Sequence, residues 1–484
     1  MVPCHDNVSS DFYSRGASRK TTETHVSGTF PKDIVIEILS RVPVKSLMQF
    51  KSVCKDWQFL ITQDRRLIDS HFDRWESRPN LLHIDPLQQK GILHTVLDFS
   101  FAESESLQQR ISCAEIVEGS GGDKQVEAIV GKVRITDDQW FLYNQVLEPV
   151  NGLVCFVDWE RHAIKVYNAS TREATPWAES TLLAEENDKL AHENRNKEIK
   201  CHSNAIYQFG FDPEKREHKI FCFWRLIARP KGKTRYNTME RPDYESWEAL
   251  TVGRDTKWRR MNAVPNENNQ IKIKQVLPPA HNKRRQVYGD GTIYWSNKEY
   301  YSQRFGDTDP DDPDVIVAFD VGSEKYRVIP IPEFILDEPR DESFRLPIGM
   351  LVLGGHVGLL YRMEPRVVKL WMLDDRPDKK LENCQRNNTN WRAETITLPF
   401  ECCDCRVGGF GFAGNSNKIL FECRGCKNSI GFVSLYSYDR RKKICKKIEM
   451  DGVSSFTLHS WRSMITTFTE SLFPVQPPSI AKVN

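Results

Sequence analysis

Cys402, Cys403 and Cys405, followed by Cys423-Arg-Gly-Cys426, come nearest to a metal-binding pattern in this sequence. A Cys-x-x-Cys knuckle with a second thiol cluster about twenty residues away suits tetrahedral zinc, with Cys402, Cys405, Cys423 and Cys426 as ligands. Against that, Cys-Cys-Asp-Cys lacks the two-residue spacer, and Cys423 lies in the strand-like run ILFEC, where a small buried thiol is ordinary. The expectation is no metal. Gly409, Gly411 and Gly414 fit the letters of a dinucleotide fingerprint, which works by placing a pyrophosphate at a helix N-terminus. A turn and another apolar strand follow here, so no helix dipole is on offer and no cofactor is expected.

Catalytic patterns are missing. The sequence has no Gly-x-Ser-x-Gly elbow, no phosphate-binding Walker loop and no His-Glu-x-x-His, and its 12 histidines are dispersed. Triads assemble from distant residues, so this is weak exclusion, but nothing names an acid, a base or a nucleophile. Paired acids such as Asp311-Asp312 and Asp374-Asp375 sit in turn-like contexts where solvation explains them. Basic clusters at 231–235, 283–285 and 440–447 also read as solvated loops. The chain carries 68 basic against 66 acidic residues, a net charge of +2, which gives no field to hold nucleic acid or an anionic membrane.

The elements that carry these residues fall into two textures within 484 residues. No segment offers the apolar run of about 18 residues that a spanning helix needs. The longest candidate, Leu346 to Tyr361, is broken by Pro347, His356 and four glycines. Residues 1–29 lack an apolar signal core and read as a disordered leader. The 13 cysteines are scattered and odd in number, unlike a disulfide framework, so reduced thiols in the nucleus and/or cytoplasm are expected. The Asn-x-Ser/Thr triplets at Asn7, Asn168 and Asn387 are then accidents of composition.

Phe30 to Ile61 carries apolar residues at helical spacing: Ile34, Ile38 and Val42 fall four apart, with Val35 and Leu39 widening the stripe. Pro31 suits a first helical turn and Pro43 a stop. Lys45–Lys51 reads as a second helix with Leu47 and Phe50 inward, and Cys54–Ile61 as a third with Trp57, Leu60 and Ile61 inward. Three short helices make a poor independent core. Their apolar inventory is too large to point inward all at once, so the surplus docks on a partner or packs on the rest of the chain.

Residues 30–72 resemble an F-box, the module that binds the Skp-type adaptor of cullin-based ubiquitin ligases. The resemblance rests on Pro31, Asp33, Ile34, Glu37, Ile38, Leu39, Arg41 to Leu47, Phe50, Lys51, Val53, Cys54, Lys55 and Trp57, with Phe30 where leucine is usual. PVKSL…FKSVCKDW is most similar to the plant form. The resemblance implies an adaptor contact through Phe30, Pro31, Ile34, Ile38, Leu39, Val42, Pro43, Leu47, Phe50, Val53, Cys54 and Trp57. Cullin and its RING protein would follow through the adaptor.

After a linker at 73–80, residues 81–470 alternate short β-rich runs with Gly, Asp, Asn and Pro turns, and no long amphipathic helix is apparent. GFDPEKREHKIFCFW at Gly210 echoes GFAGNSNKILFECR at Gly411. NGLVCF at Asn151, DGTIYW at Asp290 and HVGLLY at His356 share a glycine before an apolar strand. A strand–turn–strand element recurs at Val166, Thr251, Ala318 and Tyr436. Circular repetition protects the exposed edges of such units, so a propeller of about six blades, between five and eight, is expected, with a sandwich pair as the competing architecture. Ala184–Lys200 and Asp307–Asp314 read as inserted loops, and 471–484 as a tail.

This body is similar to the F-box-associated, kelch-like domain of plant F-box proteins. The fold expected is therefore α+β and multidomain, a small three-helix F-box followed by an all-β propeller-like domain. The function that the resemblance implies is substrate recognition in an SCF-type ubiquitin ligase, without catalysis, and with a target protein the sequence does not name. A ligand- or glycan-binding propeller, or an F-box scaffold without ubiquitin output, are the alternatives. Trp177, Trp224, Trp247, Trp258, Trp295, Trp371 and Trp391 read as core aromatics, and none is assigned to a recognition surface.

Overall fold

A computed structural model describes residues 30–75, 80–87, 108–116, 126–132, 143, 145–192, 197–201, 205–230, 244–261, 286–297, 314–339, 349–374, 390–399, 406–411, 417–427, 430–450 and 464–475. The head has four helices, not the expected three: α1 (Lys32–Leu39), α2 (Val44–Phe50), α3 (Lys55–Gln63) and α4 (Arg65–Trp75). The fourth buries Leu67, Ile68, His71, Phe72 and Trp75, a stripe at helical spacing. Its signal is diluted in the sequence because a histidine occupies one of those positions and charges fill the rest. Asp64 begins it, since its Oδ1 accepts the Arg66 N–H at 3.0 Å in the manner of an N-cap.

The β body is a propeller of six blades, counted among the described residues, each built on four antiparallel strands, with a fifth short strand in blades one (Ala178–Glu179) and two (Lys197–Cys201). Blade one runs from Gln145–Val146 through Leu153–Asp158, Ala163–Asn168 and Glu173–Ala174. Blade two comprises Ile206–Asp212, Glu217–Pro230, Tyr244–Thr251 and Arg259–Met261. Blade three comprises Val287–Gly289, Thr292–Ser296, Val315–Asp320 and Lys325–Pro330. Blade four comprises Gly349–Leu353, His356–Glu364, Val367–Leu373 and Trp391–Thr397. Blade five comprises Arg406–Gly411, Lys418–Lys427, Ile430–Asp439 and Ile444–Met450. The sixth is made from both ends of the body: Met464–Phe468 pairs with Asn80–Leu87, which pairs with Gln108–Ile116 and then Val126–Lys132. Blades five and six also meet along Ile444–Met450 and Val126–Lys132, a parallel pairing that makes one eight-stranded sheet.

The two recurring sequence patterns are the two hairpins of a blade. The glycine-plus-strand runs are first-to-second strand turns, with both central residues at positive φ in Asn151-Gly152, Asp290-Gly291 and Gly354-Gly355. Such turns match the right-handed twist of the strands they join. The strand–turn–strand element is the third-to-fourth hairpin. At Asn168, Asp320 and Asp439 the side-chain oxygen accepts backbone N–H groups two or three residues on, and a residue at positive φ follows four positions later, Arg172, Glu324 and Lys443; Asp212 and Arg216 make the same turn between the first and second strands of blade two. The aspartate or asparagine supplies the acceptors that a tight four-residue turn lacks.

Blades one to four bury both faces of their central strands, which is why those strands read as unbroken apolar runs. In IFCFW, Phe221 and Phe223 pack with Trp247, Trp295 and Phe319 between blades two and three, whereas Ile220, Cys222 and Trp224 join the core on the other face. Trp371 lies in the core between blades three and four, so four of the seven tryptophans singled out above are buried; Trp177, Trp258 and Trp391 are half-buried.

Two expectations need correction. Ala184–Lys200 is no loop, because an eleven-residue helix, α5 (Leu182–His192), and the strand Lys197–Cys201 occupy it. The tail does not begin at 471: Leu472, Phe473 and Val475 are buried. They follow the closing strand across blade one, where buried Asn168 donates from Nδ2 to the carbonyls of Ser471 and Phe473, each at 3.0 Å. Gly152 lies directly beneath: its φ is +84°, and a Cβ there would stand 2.3 Å from Ser471 Cβ. Gly152→Ala is expected to cost roughly 2 kcal/mol or more, from left-handed strain plus displacement of this segment, read as a lowered midpoint in denaturant unfolding.

Candidate protein-docking site

Helix α1 carries two apolar stripes. One, Val35, Ile36 and Leu39, is buried; the other, Ile34 and Ile38, faces solvent. With Phe30, Val53 and Phe59 these form a group of large apolar side chains 48–64% exposed. Outside the head, only Phe334 and Ile444 among the described residues share that property. Five exposed apolar side chains on a head of four short helices are an unusual concentration for a free surface, and mark an interaction face.

The twelve sequence-expected contact residues divide accordingly. Phe30, Pro31, Ile34, Ile38, Pro43, Val53 and Cys54 are exposed, and Val42, Phe50 and Trp57 are half-buried. Leu39 and Leu47 are at most 1% exposed and hold the helices together, so they are not available to a partner. The error has a simple origin: spacing places residues on a helix face but does not say which of two apolar faces turns inward. Phe59, in contrast, is exposed and was given no role by the sequence pattern; Lys32 Nζ sits 5.7 Å from its ring centroid.

Charges fix the frame of this face. Glu37 lies beside Ile38 and bridges Arg41 and Arg74, and the hydrogen bond from Arg41, then that from Arg74, hold its carboxyl below the usual range. Asp64 is buried, which works to raise its pKa, yet Lys32 at 2.9 Å and the Arg66 amide and guanidinium hold it below its ordinary value. These pairs tie α1 to α4 and leave the apolar stripe as the part of α1 without a partner surface.

The other side of the head sits on the propeller. One continuous cluster of buried side chains runs from Leu39, Leu47, Leu60 and Phe72 to Leu153, Phe211, Trp224 and Phe473. Packing on the body and display of a free face, posed above as alternatives, thus both hold. At the seam Arg216, the positive-φ residue of a blade-two turn, reaches α4: its Nε lies 2.9 Å from Asp69 and a terminal nitrogen 3.0 Å from Asp73. Its guanidinium also lies 5.6–5.9 Å from the ring centroids of Phe72, Phe211 and Phe473. The Val44 N–H donates to Glu470 at 3.0 Å, and Lys51 pairs with Glu173 at 3.4 Å.

Two buried histidines belong to this region. His71 bonds through Nε2 to the Val42 carbonyl at 3.0 Å and stacks on Trp75; burial pushes its pKa down to about 4. His218 bonds through Nε2 to the Val150 carbonyl at 3.0 Å among Phe209, Phe211 and Phe473, and burial pushes its pKa down to about 3. Both rings fold neutral, so the unfolded chain binds more protons below its ordinary pKa of 6.5 and stability falls with pH. Each ring is expected to remove about 2 kcal/mol of stability between pH 7.5 and pH 5.0. Urea unfolding at the two pH values checks this, and His71→Gln should flatten the dependence.

Among the described residues, the other candidates offer no competing site. Cys402, Cys403 and Cys405 lie outside the described residues, as do the basic clusters at 231–235 and 283–285. Cys423 and Cys426 fall on the strand Lys418–Lys427, where Arg424 and Gly425 stay in register with Val433 and Phe432, so the backbone makes no knuckle turn there. Of the fingerprint-like glycines, Gly409 and Gly411 lie at the end of a strand, paired with Phe421 and Ile419, and Gly414 lies outside the described residues. In the cluster at 440–447, Arg440 and Lys443 both engage Glu394. Asn168 is fully buried and committed to the turn and the C-terminal segment.

A four-helix head with a free apolar face, seated on a six-bladed propeller, is the architecture of an F-box protein with a propeller. The F-box-associated beta propeller domain matches residues 105–472 and the F-box domain matches residues 29–69, so the chain belongs to the F-box-associated β-propeller family. An F-box/kelch-repeat protein of Arabidopsis thaliana is 28% identical over 306 residues, 63% of this chain and 58% of the relative, so the match spans less than two thirds of that protein. An Arabidopsis thaliana F-box protein is 26% identical over 426 residues, 87% of this chain and 86% of that one. Among solved structures, a chain of a nidogen–laminin complex aligns with a TM-score of 0.35 at 11% identity, over 81% of this chain and 99% of that one.

Proposed function

We propose that the chain is a substrate-recognition subunit of an SCF-type ubiquitin ligase, acting in the nucleus or cytoplasm. The observation that carries the reading is the exposed apolar stripe of Ile34 and Ile38, with Phe30, Val53 and Phe59 also exposed, on an F-box head whose buried side chains are already committed to the propeller. A Skp-type adaptor covers that face, and cullin and its RING protein follow through the adaptor. The propeller holds a target protein near the charged conjugating enzyme. The chain supplies no reacting group; it works by proximity, replacing a bimolecular encounter between lysine and thioester with an intramolecular one.

Target contact falls to the propeller surface left free by the head. The head occupies the end of blades one and two where the first-to-second strand turn containing Arg216 emerges. In an antiparallel blade, second-to-third and fourth-to-first connections emerge at the opposite end, and that end points away from the adaptor. Co-expression with a plant Skp-type adaptor, followed by size exclusion, tests the reading. A stable one-to-one complex supports it, and a chain that elutes alone with its head folded removes it.

A further inference from the structure

The head's hold on the propeller bears on its docking face, and the inference rests on the adaptor reading above. The head spans 46 residues, 30–75, below the size at which a lone core is comfortable. Its buried residues share one core with blades one and two and with the C-terminal segment. Two polar contacts lock the seam from the body's side. Helix α2 starts at Pro43, which offers no capping side chain, and the cap comes instead from Glu470, 426 residues on, which accepts the Val44 N–H. A carboxylate there also complements the positive end of the helix. Helix α4 is held by Arg216, clamped between Asp69 and Asp73 and enclosed by Phe72, Phe211 and Phe473, three rings from three different segments.

Phe50 and Val53, in α2 and just after it, belong to the expected adaptor contact, and α4 holds α1 through the Arg74–Glu37 and Arg66–Asp33 pairs. Loosening α2 or α4 therefore misplaces the docking face without touching it. We infer that Arg216 and Glu470 are positioning residues for adaptor binding: the closed propeller, through its last segment and one blade-two turn, holds the F-box in its docking-competent form. Glu470 and Phe473 directly follow the strand that closes the sixth blade. A chain whose propeller has not closed lacks both, so adaptor capture reports a finished propeller.

The full-length chain is measured in two ways: calorimetric titration with a purified plant Skp-type adaptor, and amide hydrogen exchange resolved by segment. Apparent affinity falls in proportion to the competent fraction, so a head that is competent about a tenth of the time binds about tenfold more weakly. Arg216→Ala and Glu470→Ala are each expected to show about that loss, with faster exchange in residues 44–50 and 65–75 and unchanged exchange in blades three to five. Arg216→Lys, which keeps the charge but not the fork, should recover part of the affinity.

Because Arg216→Ala could disturb blade two itself, the pair Asp69→Asn and Asp73→Asn attacks the same contact from the head and should reproduce the phenotype. Affinity within twofold of wild type, with exchange in the head unaltered, overturns the inference. If the wild-type chain ignores the adaptor, the docking reading fails by itself. The exchange data then decide on their own whether the propeller holds the head, and unaltered exchange in the variants overturns that part too.

Discussion

Ile34→Asp combined with Ile38→Asp is expected to weaken adaptor binding by about a hundredfold or more while leaving the thermal midpoint close to wild type. Both side chains stand about half exposed on one side of α1, so the folded chain loses little apolar burial when they change. Surface substitutions of this kind usually stay within about 0.5 kcal/mol. The new carboxylate at 34 falls in the first turn of α1, where the helix dipole favours it, and that at 38 in the last turn, where it costs about 0.5 kcal/mol, so the two effects largely offset. In the complex the balance reverses. Two isoleucines that would be covered are lost, and two carboxylates must be dehydrated against an apolar surface. Losses of about 2 kcal/mol at each central position are typical of interface hot spots and multiply to more than a hundredfold. Titration calorimetry beside a melting curve reads both quantities. Unchanged affinity would remove α1's outer stripe from the docking face.

Leu39→Asp or Leu47→Asp carries the same charge into the same helices with the opposite result. These side chains are at most 1% exposed, at the centre of the cluster that joins the helices to the propeller. The surrounding cluster of Leu60, Leu67 and Phe72 is apolar, so the charge and the lost packing both count. The expected cost exceeds about 4 kcal/mol, in the range reserved for buried unpaired charges and core cavities. The head should unfold locally, visible as rapid exchange in residues 32–75, with the outer blades still protected. Adaptor binding would be lost as well, for want of a folded head. A variant series that used only Leu39 and Leu47 would therefore not distinguish a docking residue from a structural one; the Ile34 and Ile38 variants do.

Much of this architecture is legible in the residues. The order of Pro31, Ile34, Glu37, Leu39, Pro43, Leu47 and Trp57 is legible as an F-box by its resemblance to that family, while the two prolines by themselves mark where helices start and stop. The glycine-led strands and Asp-turn hairpins mark the blades, because a turn with positive φ and unsatisfied N–H groups selects Gly, Asn and Asp wherever it recurs. Local chemistry of this type writes itself into sequence. Less legible were α4, whose buried stripe includes His71, and α5, which is a polar helix inserted between blades one and two.

The chain's own residues thus determined the element types, the two hairpins of each blade and the presence of an F-box, since each depends on neighbours a few positions apart. Tertiary structure alone decided which stripe of α1 packs inward and which faces outward, since Val35 and Ile34 are equally apolar and differ only in what the rest of the fold covers. It also decided that Met464–Phe468 completes a blade begun at Asn80–Leu87, and that Glu470 caps a helix starting at Val44. Those contacts join residues separated by nearly the whole chain, where hydrophobic burial is non-directional and local pattern carries no address.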